Sequence, residues 1–369
     1  MNKYKICKQC IMDITDPTIT FNEKGVCSNC VEYEKKVKEN VLFGEEGIKK
    51  LNEIAEKIKK QGLGKEYDCV LGLSGGVDSS YVAYITKKLG LRPLAVHLDN
   101  GWNSDIASSN INQIVKRLEI DLKTLVINWE EFKDLQLAYL KASVVDIEAI
   151  TDHAISATLY KLANEHNIKY IISGGNVATE GIIPSIWTYN KTDLINLKDI
   201  HRKFGKHKLK TFPMLGVWKL IYYQYLKGIK TITPLNYVPY VKKDAKELLK
   251  KELGWKDYGG KHYESVFTKF YQAYILPKKF NIDKRKAHLS TLIASNQISR
   301  QEAIKEIQKP LYPDPEEFKR DKEYVLKKFG ISDDEFKKIM SLPVKSHFNY
   351  KTDKWIRELL KKIVKPFRK

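Results

Sequence analysis

The chain has no run of 18 uncharged apolar residues, so no segment can span a bilayer as a helix. It begins Met1-Asn2-Lys3-Tyr4-Lys5 and leads into cysteines, not an apolar signal core, so a cytoplasmic location is expected. No low-complexity tract or internal repeat is evident. With 369 residues, 43% of them hydrophobic, the chain can bury one large core with appendages. Acid is missing where base is dense: residues 201–230 hold eight Lys/Arg and no Asp or Glu. Residues 350–369 hold eight Lys/Arg against two acids, and the whole chain carries +20. Such a balance points to polyanionic partners, and Arg202 to Lys210 forms a candidate loop for phosphate or an acidic partner.

Cysteine is scarce, with five in all. Cys7, Cys10, Cys27 and Cys30 form C-x2-C-x16-C-x2-C, two knuckles that can set four thiolates around Zn²⁺. The alternatives are two disulfides or four unrelated thiols, and a reducing cytoplasm disfavours the first. Four thiolates leave no open position, so the zinc is expected to be structural. Cys69 reads as a small strand residue. No cysteine is then left to carry sulfur or to serve a glutaminase, and residue 2 is Asn2, not an N-terminal nucleophile.

No Walker pattern G-x-x-x-x-G-K-[ST] occurs. In its place, Ser74-Gly75-Gly76-Val77-Asp78-Ser79-Ser80 follows the apolar run 69–73 and precedes a helical stretch. Strand, glycine turn and helix make a phosphate cradle of backbone N–H groups and a helix N-terminus. Ser74, Ser79 and Ser80 add hydroxyls, and Asp78 suits Mg²⁺. A cradle without lysine fits a pyrophosphate leaving group better than γ-phosphoryl transfer. The S-G-G-x-D-S pattern resembles the PP-loop of the N-type ATP pyrophosphatases.

Four strands are predicted, at 68–73, 93–98, 122–127 and 169–173, with helices at 79–89, 105–118, 130–141 and 151–166 between them. This alternation predicts an α/β fold, a doubly wound and mostly parallel sheet of PP-loop/HUP-like type. Residues 1–35 are expected as a zinc knuckle, 36–66 as a connecting helix, and 67–200 as the ATP pyrophosphatase core. Ile48, Leu51, Ile54, Ala55 and Ile58 share one face of the connecting helix. The remainder, 201–369, is expected to be a mostly helical substrate or partner region, with helices at 217–227, 242–252, 262–275, 283–295, 299–308, 314–329, 332–340 and 350–363. Polar sequences at 97–102 and 173–176 fall at strand ends beside the PP-loop, where such sheets bind ligands.

Several segments together resemble the bacterial N-acetyl sugar amidotransferase family over residues 5 to 310. They are Cys7-x-x-Cys10-Ile11-Met12-Asp13, the PP-loop, Val96 to Asn103, Thr151 to Ile155, Ser173 to Gly181, Gly259 to Ser265 and Leu276 to Ser290. The resemblance implies ATP-dependent conversion of an acetamido group to acetamidino, releasing AMP and pyrophosphate. It implies substrates from lipopolysaccharide or flagellin glycans, including pseudaminic-acid-type sugars: N-acetylated, acidic and nucleotide-activated. It also implies a separate glutaminase, at times with a cyclase-like barrel subunit, as ammonia source.

On this reading ATP is bound by Ser74, Gly75, Gly76, Val77, Asp78, Ser79, Ser80, Gly174 and Gly175, with Asp99 and Asn176 near the adenosine. Lys261 and Lys279 are candidate cations for the leaving group. Asp152, His153, Glu180 and Glu264 are candidates for metal, sugar or ammonia positioning, and Asp283, Arg285 and His288 for contacts to an acidic substrate. The competing readings are a PP-loop tRNA-modifying enzyme, which the charge and knuckle favour, and a non-catalytic zinc-knuckle adaptor, which the intact loop disfavours. The lack of a spare cysteine argues against the thiolating form and weighs against nucleic acid as a partner.

Overall fold

A computed structural model describes residues 4–259 and 263–364. The chain opens with a small hairpin-like knuckle that leads into helix α1 (Ser28–Asn40) and then α2 (Gly44–Gln61). The expected single connecting helix is thus two. The break falls at 41–43, where Leu42 N–H bonds to Asn236 O and the chain turns to bring Gly47 against Leu42 and Tyr237. A Cβ at Gly47 would lie 2.3 Å from the Leu42 carbonyl oxygen, so only glycine fits. On α2, Leu51, Ala55 and Ile58 are buried, whereas Ile48 faces solvent.

The α/β core follows as β1 (Cys69–Gly72), α3 (Val77–Lys88), β2 (Pro93–Asp99), α4 (Asp105–Leu118), β3 (Asp121–Val126), α5 (Trp129–Ala142), α6 (Ala149–Glu165) and β4 (Tyr170–Ile172). Next come α7 (Val177–Glu180), α8 (Leu194–Phe204), α9 (Val217–Ile221) and β5 (Lys230–Ile232). All strand pairs are parallel, in the order β3-β2-β1-β4-β5, with Leu71 opposite both Ala95 and Ile172. The central strand is apolar throughout because helices cover both faces: Cys69, Val70 and Leu71 are fully buried. The edge strand β3 is largely exposed and carries Asp121 and Lys123, which discourages further pairing. The chain leaves β1 toward β2 on one side and returns to β4 on the other. The switch point between β1 and β4 is therefore where a ligand crevice is expected.

The last third is helical: α10 (Lys242–Leu253), α11 (Val266–Phe270), α12 (Leu276–Phe280), α13 (Arg285–Ala294), α14 (Arg300–Ile307), α15 (Pro315–Phe329), α16 (Asp333–Ser341) and α17 (Lys354–Val364). Local chemistry sets these bounds. Asp314 caps α15 ahead of Pro315, and Gly330 ends it at φ +68°. Ser299 and Glu302 form a reciprocal capping box on α14. A π-helical turn, Tyr271–Ile275, joins α11 to α12.

This region is sewn to the core. Ser104 N–H donates to Glu264 O at 2.8 Å and Val266 N–H to Trp102 O at 3.0 Å, pairing the loop after β2 with the start of α11. Trp102, Phe267 and Phe329 pack in one buried cluster beneath that pairing. The knuckle is held from the same side. Arg300 donates to Cys7 O and Cys10 O, both at 3.0 Å, and Lys286 pairs with buried Asp13.

Candidate active site

The loop after β1 is built from conformations only its sequence allows. Gly75 sits at φ +80°, and a Cβ there would approach Ala107 O to 2.6 Å. Its carbonyl is fixed by Trp255 Nε1 at 2.9 Å and by Asn110 Nδ2 at 3.4 Å. Ser80 donates to Gly76 O at 2.6 Å, tying the loop to the first turn of α3, and Ser74 and Ser79 hydroxyls lie 3.1 Å apart across it. Gly174, at the end of β4, packs where a Cβ would come within 3.0 Å of Ser79 N.

Two adjoining cavities open here. The first, about 200 Å³, is lined by Ser74, Gly76–Ser79, Gly174, Gly175, Glu180, Lys242, Tyr258 and Glu264. The second, about 390 Å³, shares Ser74, Ser79, Gly174 and Glu264, and adds His97, Asn103, Glu148, Asp152, Thr268, Gln272 and Lys284 among others.

In the first cavity, Asp78 accepts a short hydrogen bond from Tyr240 OH. Burial, and then the Asp78 charge, push the Tyr240 phenol far above its ordinary value, so it stays a donor. Val77 N–H, at the N-terminus of α3, donates to Tyr258 OH at 3.4 Å. That places a phenol oxygen at the position an anion would take. Three carboxylates, Asp78, Glu180 and Glu264, line this cavity beside the Lys242 side chain. Carboxylate oxygen is the donor type Mg²⁺ takes, but among the described residues these three do not converge into one cation-binding cluster.

Several expected site residues lie here, and others have different work. Ser80 and Gly75 shape the loop rather than line the cavities, and Asp99 does the same for the loop after β2, accepting from Gly101 N and Asn103 Nδ2. Asn176 caps α7 through Thr179 N at 2.8 Å, so its amide oxygen is spent on the backbone rather than on an adenosine. Lys279 donates to Ile339, Met340 and Leu342 carbonyls at the end of α16, which removes it from the leaving group. Asp283 and Arg285 form a two-oxygen ion pair, Arg285 also holds the Ile307 and Lys309 carbonyls at the end of α14, and neither residue lines the two cavities. His288 lies on α13 and lines neither cavity. Lys261 lies outside the described residues.

The residues that sequence reasoning missed are Lys242, Tyr240, Tyr258, Glu148 and Lys284. Lys284 stands between Asp283 and Arg285, so the segment was legible and the direction was not.

The basic stretch after α8 is anchored. Buried Asp134 accepts from Lys206 N and His207 N, and Glu131 accepts from Thr211 N and Phe212 N. Arg202 and Lys203 pair with Asp199 on their own helix.

His153 is corrected too. It is buried, its Nδ1–H donates to Lys191 O at 2.8 Å, and its Nε2 accepts from Leu215 N at 3.0 Å. Desolvation lowers its pKa to about 4, and His347, held between Asn196 Oδ1 and Asp146 N, is likewise pushed down to about 4. Both values lie below that of an unfolded histidine, so protons favour the unfolded chain. The stability from these two groups is intact above about pH 6.5 and is lost as pH falls toward 4. The slope in that window is at most about 1.4 kcal/mol per pH unit per histidine. Thermal unfolding followed from pH 7 to 5 is expected to show a falling midpoint, and His153→Gln a flatter one. Equal slopes would remove His153 from the effect.

The four knuckle sulfurs lie within 4.8 Å of one another, with Cys10–Cys27 and Cys27–Cys30 at 3.7 Å and Cys7–Cys30 at 4.0 Å. Tetrahedral Zn–S bonds of 2.3 Å imply S···S edges of about 3.8 Å. All four are free thiols, and backbone N–H groups of Cys10, Met12 and Cys27 point at sulfur, as thiolate ligands require. The residues fit a structural zinc.

Comparison with known proteins bears on both halves of the chain. Residues 48–212 match the family model described as NAD synthase. That match covers under half of the chain and says what this segment is similar to. Residues 264–364 match the model described as LPS biosynthesis protein WbpG-like, C-terminal domain. No curated protein matches the sequence.

Similar solved structures include the NH3-dependent NAD synthetase of Campylobacter jejuni, at 19% identity and TM-score 0.29 over 38% of this chain and 62% of that one. The chain thus spans less than two thirds of that protein. The NMN synthetase of Francisella tularensis is similar at 16% identity and TM-score 0.29 over 60% and 87%. A tRNA methyltransferase subunit of Methanocaldococcus jannaschii is similar at 19% identity and TM-score 0.28 over 49% and 74%. Likenesses at this level carry no argument about chemistry.

Proposed function

We propose that the chain is an ATP-dependent amidotransferase that converts the N-acetyl group of an acidic bacterial surface-glycan sugar to acetamidino. One observation carries the reading. The WbpG-like segment supplies Glu264, Ser265, Thr268, Gln272 and Lys284 to the cavity that opens directly beside the PP-loop. The segment similar to the WbpG-like model and the PP-loop therefore face one space, which supports a reaction between a sugar and ATP there.

An amide carbonyl resists ammonia because its oxygen leaves poorly. In the proposed reaction the amide oxygen attacks the α-phosphorus of ATP and pyrophosphate departs, leaving an O-adenylyl imidate. Ammonia then adds to the imidate carbon, AMP leaves with that oxygen, and the excess proton passes to solvent. N–H groups of the PP-loop and the Lys242 ammonium stabilise charge on the departing pyrophosphate. Asp78, on the PP-loop itself, would hold Mg²⁺, with bound phosphate oxygens and water as its other ligands, and the ion would add positive charge at the same place. Tyr258 OH must yield Val77 N–H to the phosphate chain. Lys284 meets the acidic group of the sugar, and Glu148 and Asp152 orient its hydroxyls. Ammonia comes from a separate glutaminase: Cys69 is buried in β1 and its thiol is pushed up by burial, so it is no nucleophile.

ATP, Mg²⁺, ammonium and nucleotide-linked N-acetylated uronic or nonulosonic acids are expected to give AMP and pyrophosphate in equal amounts with the amidine. Glutamine is expected not to replace ammonium. ADP as the stoichiometric product would sink the reading, as would ATP–pyrophosphate exchange that responds to tRNA and not to sugar.

A further inference from the structure

α17 is fixed to the body by one side only. Ile356 is buried, and Arg357 bonds Asp353 and Thr192. Trp355 and Leu359, four residues apart and so on one stripe, remain 65% and 51% exposed. Phe348, 62% exposed, lies beside them in sequence, with the Lys354 ammonium 5.2 Å from its ring centre. Lys362 lies within this stripe, Lys354 and Lys361 lie on the polar side with Glu358, which pairs with Lys354 at 3.9 Å, and the sequence continues with Lys365, Arg368 and Lys369.

An apolar stripe bordered by cations on a fixed helix is the pattern of an interfacial helix. Trp has its lowest energy at the boundary between headgroups and acyl chains, where an apolar ring and a polar N–H are both satisfied. A nucleic-acid duplex would use the lysines alone, and a single strand, whose bases can stack on Trp355 and Phe348, would leave Leu359 in water. We propose that α17, with Phe348, docks this protein onto an anionic membrane surface, lying in the interface without crossing it. No helix among the described residues is long and apolar enough to cross. The proposal is independent of the reaction assigned above.

Flotation of the full chain with vesicles of phosphatidylglycerol and phosphatidylcholine, against phosphatidylcholine alone, tests it. Binding is expected only to the anionic vesicles and is expected to weaken in high salt. Trp355→Ser with Leu359→Ser should weaken it about tenfold or more through lost apolar burial. Lys354→Glu, Lys361→Glu and Lys362→Glu together should weaken it about 100-fold, at roughly fivefold per lost cation. These side chains are exposed, so an unchanged melting curve is expected to accompany both variants. Absence of vesicle binding, equal binding to both compositions, or variants that bind as the wild type does would overturn the proposal. So would RNA binding that the charge variant abolishes while vesicles stay unbound.

Discussion

Asp78→Asn is expected to lower ATP-dependent turnover by roughly 10²–10³-fold while the protein stays folded. The argument rests on what the substitution leaves in place. Asn keeps the oxygen that accepts from Tyr240 OH, so the contact between the start of α3 and the segment before α10 survives. Only the charge is removed, and with it the carboxylate best placed to hold a divalent cation at the PP-loop. Pyrophosphate release and the thermal midpoint, measured on the same preparation, separate the two effects. Turnover near that of the wild type would take Asp78 out of the reaction. A collapsed melting curve would show that the Tyr240 contact needs the full charge.

The second large effect concerns metal. One Zn²⁺ per chain is expected, and Cys10→Ser is expected to release it and unfold the segment before α1. The four buried thiols share the main hydrophobic cluster with Met12 and Tyr33, so the segment has no separate core to hold its loops once the metal is gone. In isolated zinc peptides the metal supplies about 10–16 kcal/mol of apparent binding energy that serves as folding energy. The loss should spread. Arg300 grips the Cys7 and Cys10 carbonyls, and Lys286 pairs with Asp13, so α13 and α14 would lose partners as well. Metal analysis and amide exchange over residues 4–30 and 285–307 check this. A zinc-free protein with a protected knuckle, or a disulfide between any two of these cysteines, would overturn the assignment.

Much of this molecule could be read from residue order because three of its signals are local. The PP-loop is a contiguous strand–turn–helix, the cysteine pairs announce themselves by spacing, and β1, β2 and β4 are short apolar runs between helices. β5 was not foreseen. It is three residues, exposed Lys230 and Thr231 and half-buried Ile232, whose only reason to be a strand is the neighbouring β4. α8 was lost for a similar reason, since its length and basic end resemble a solvated loop until Asp199 pairs with Arg202 and Lys203.

The individual site residues were the least legible because type does not fix direction. A lysine suited to phosphate is equally suited to the carbonyls that end a helix, and Lys279 took the latter. One position in helical backbone turns a side chain by about 100°, and across the N-cap of α13 that is enough to put Lys284 in the cavity and Arg285 outside it. His153 is a candidate only through the family resemblance, and both its nitrogens are occupied by backbone.

The Arg300 clamp on the knuckle carries a consequence for how the protein is made. Cys10 and Arg300 stand 290 positions apart. A ribosome adding 5–20 residues per second therefore exposes the cysteines for roughly 15–60 s before the side chain that clasps them exists. During that interval the thiols must be kept reduced, and metal loading can occur while the segment is still an unclasped nascent tip. The clasp then closes on a loaded site late in synthesis, so a chain starved of zinc at that stage would present α13 and α14 with nothing to hold.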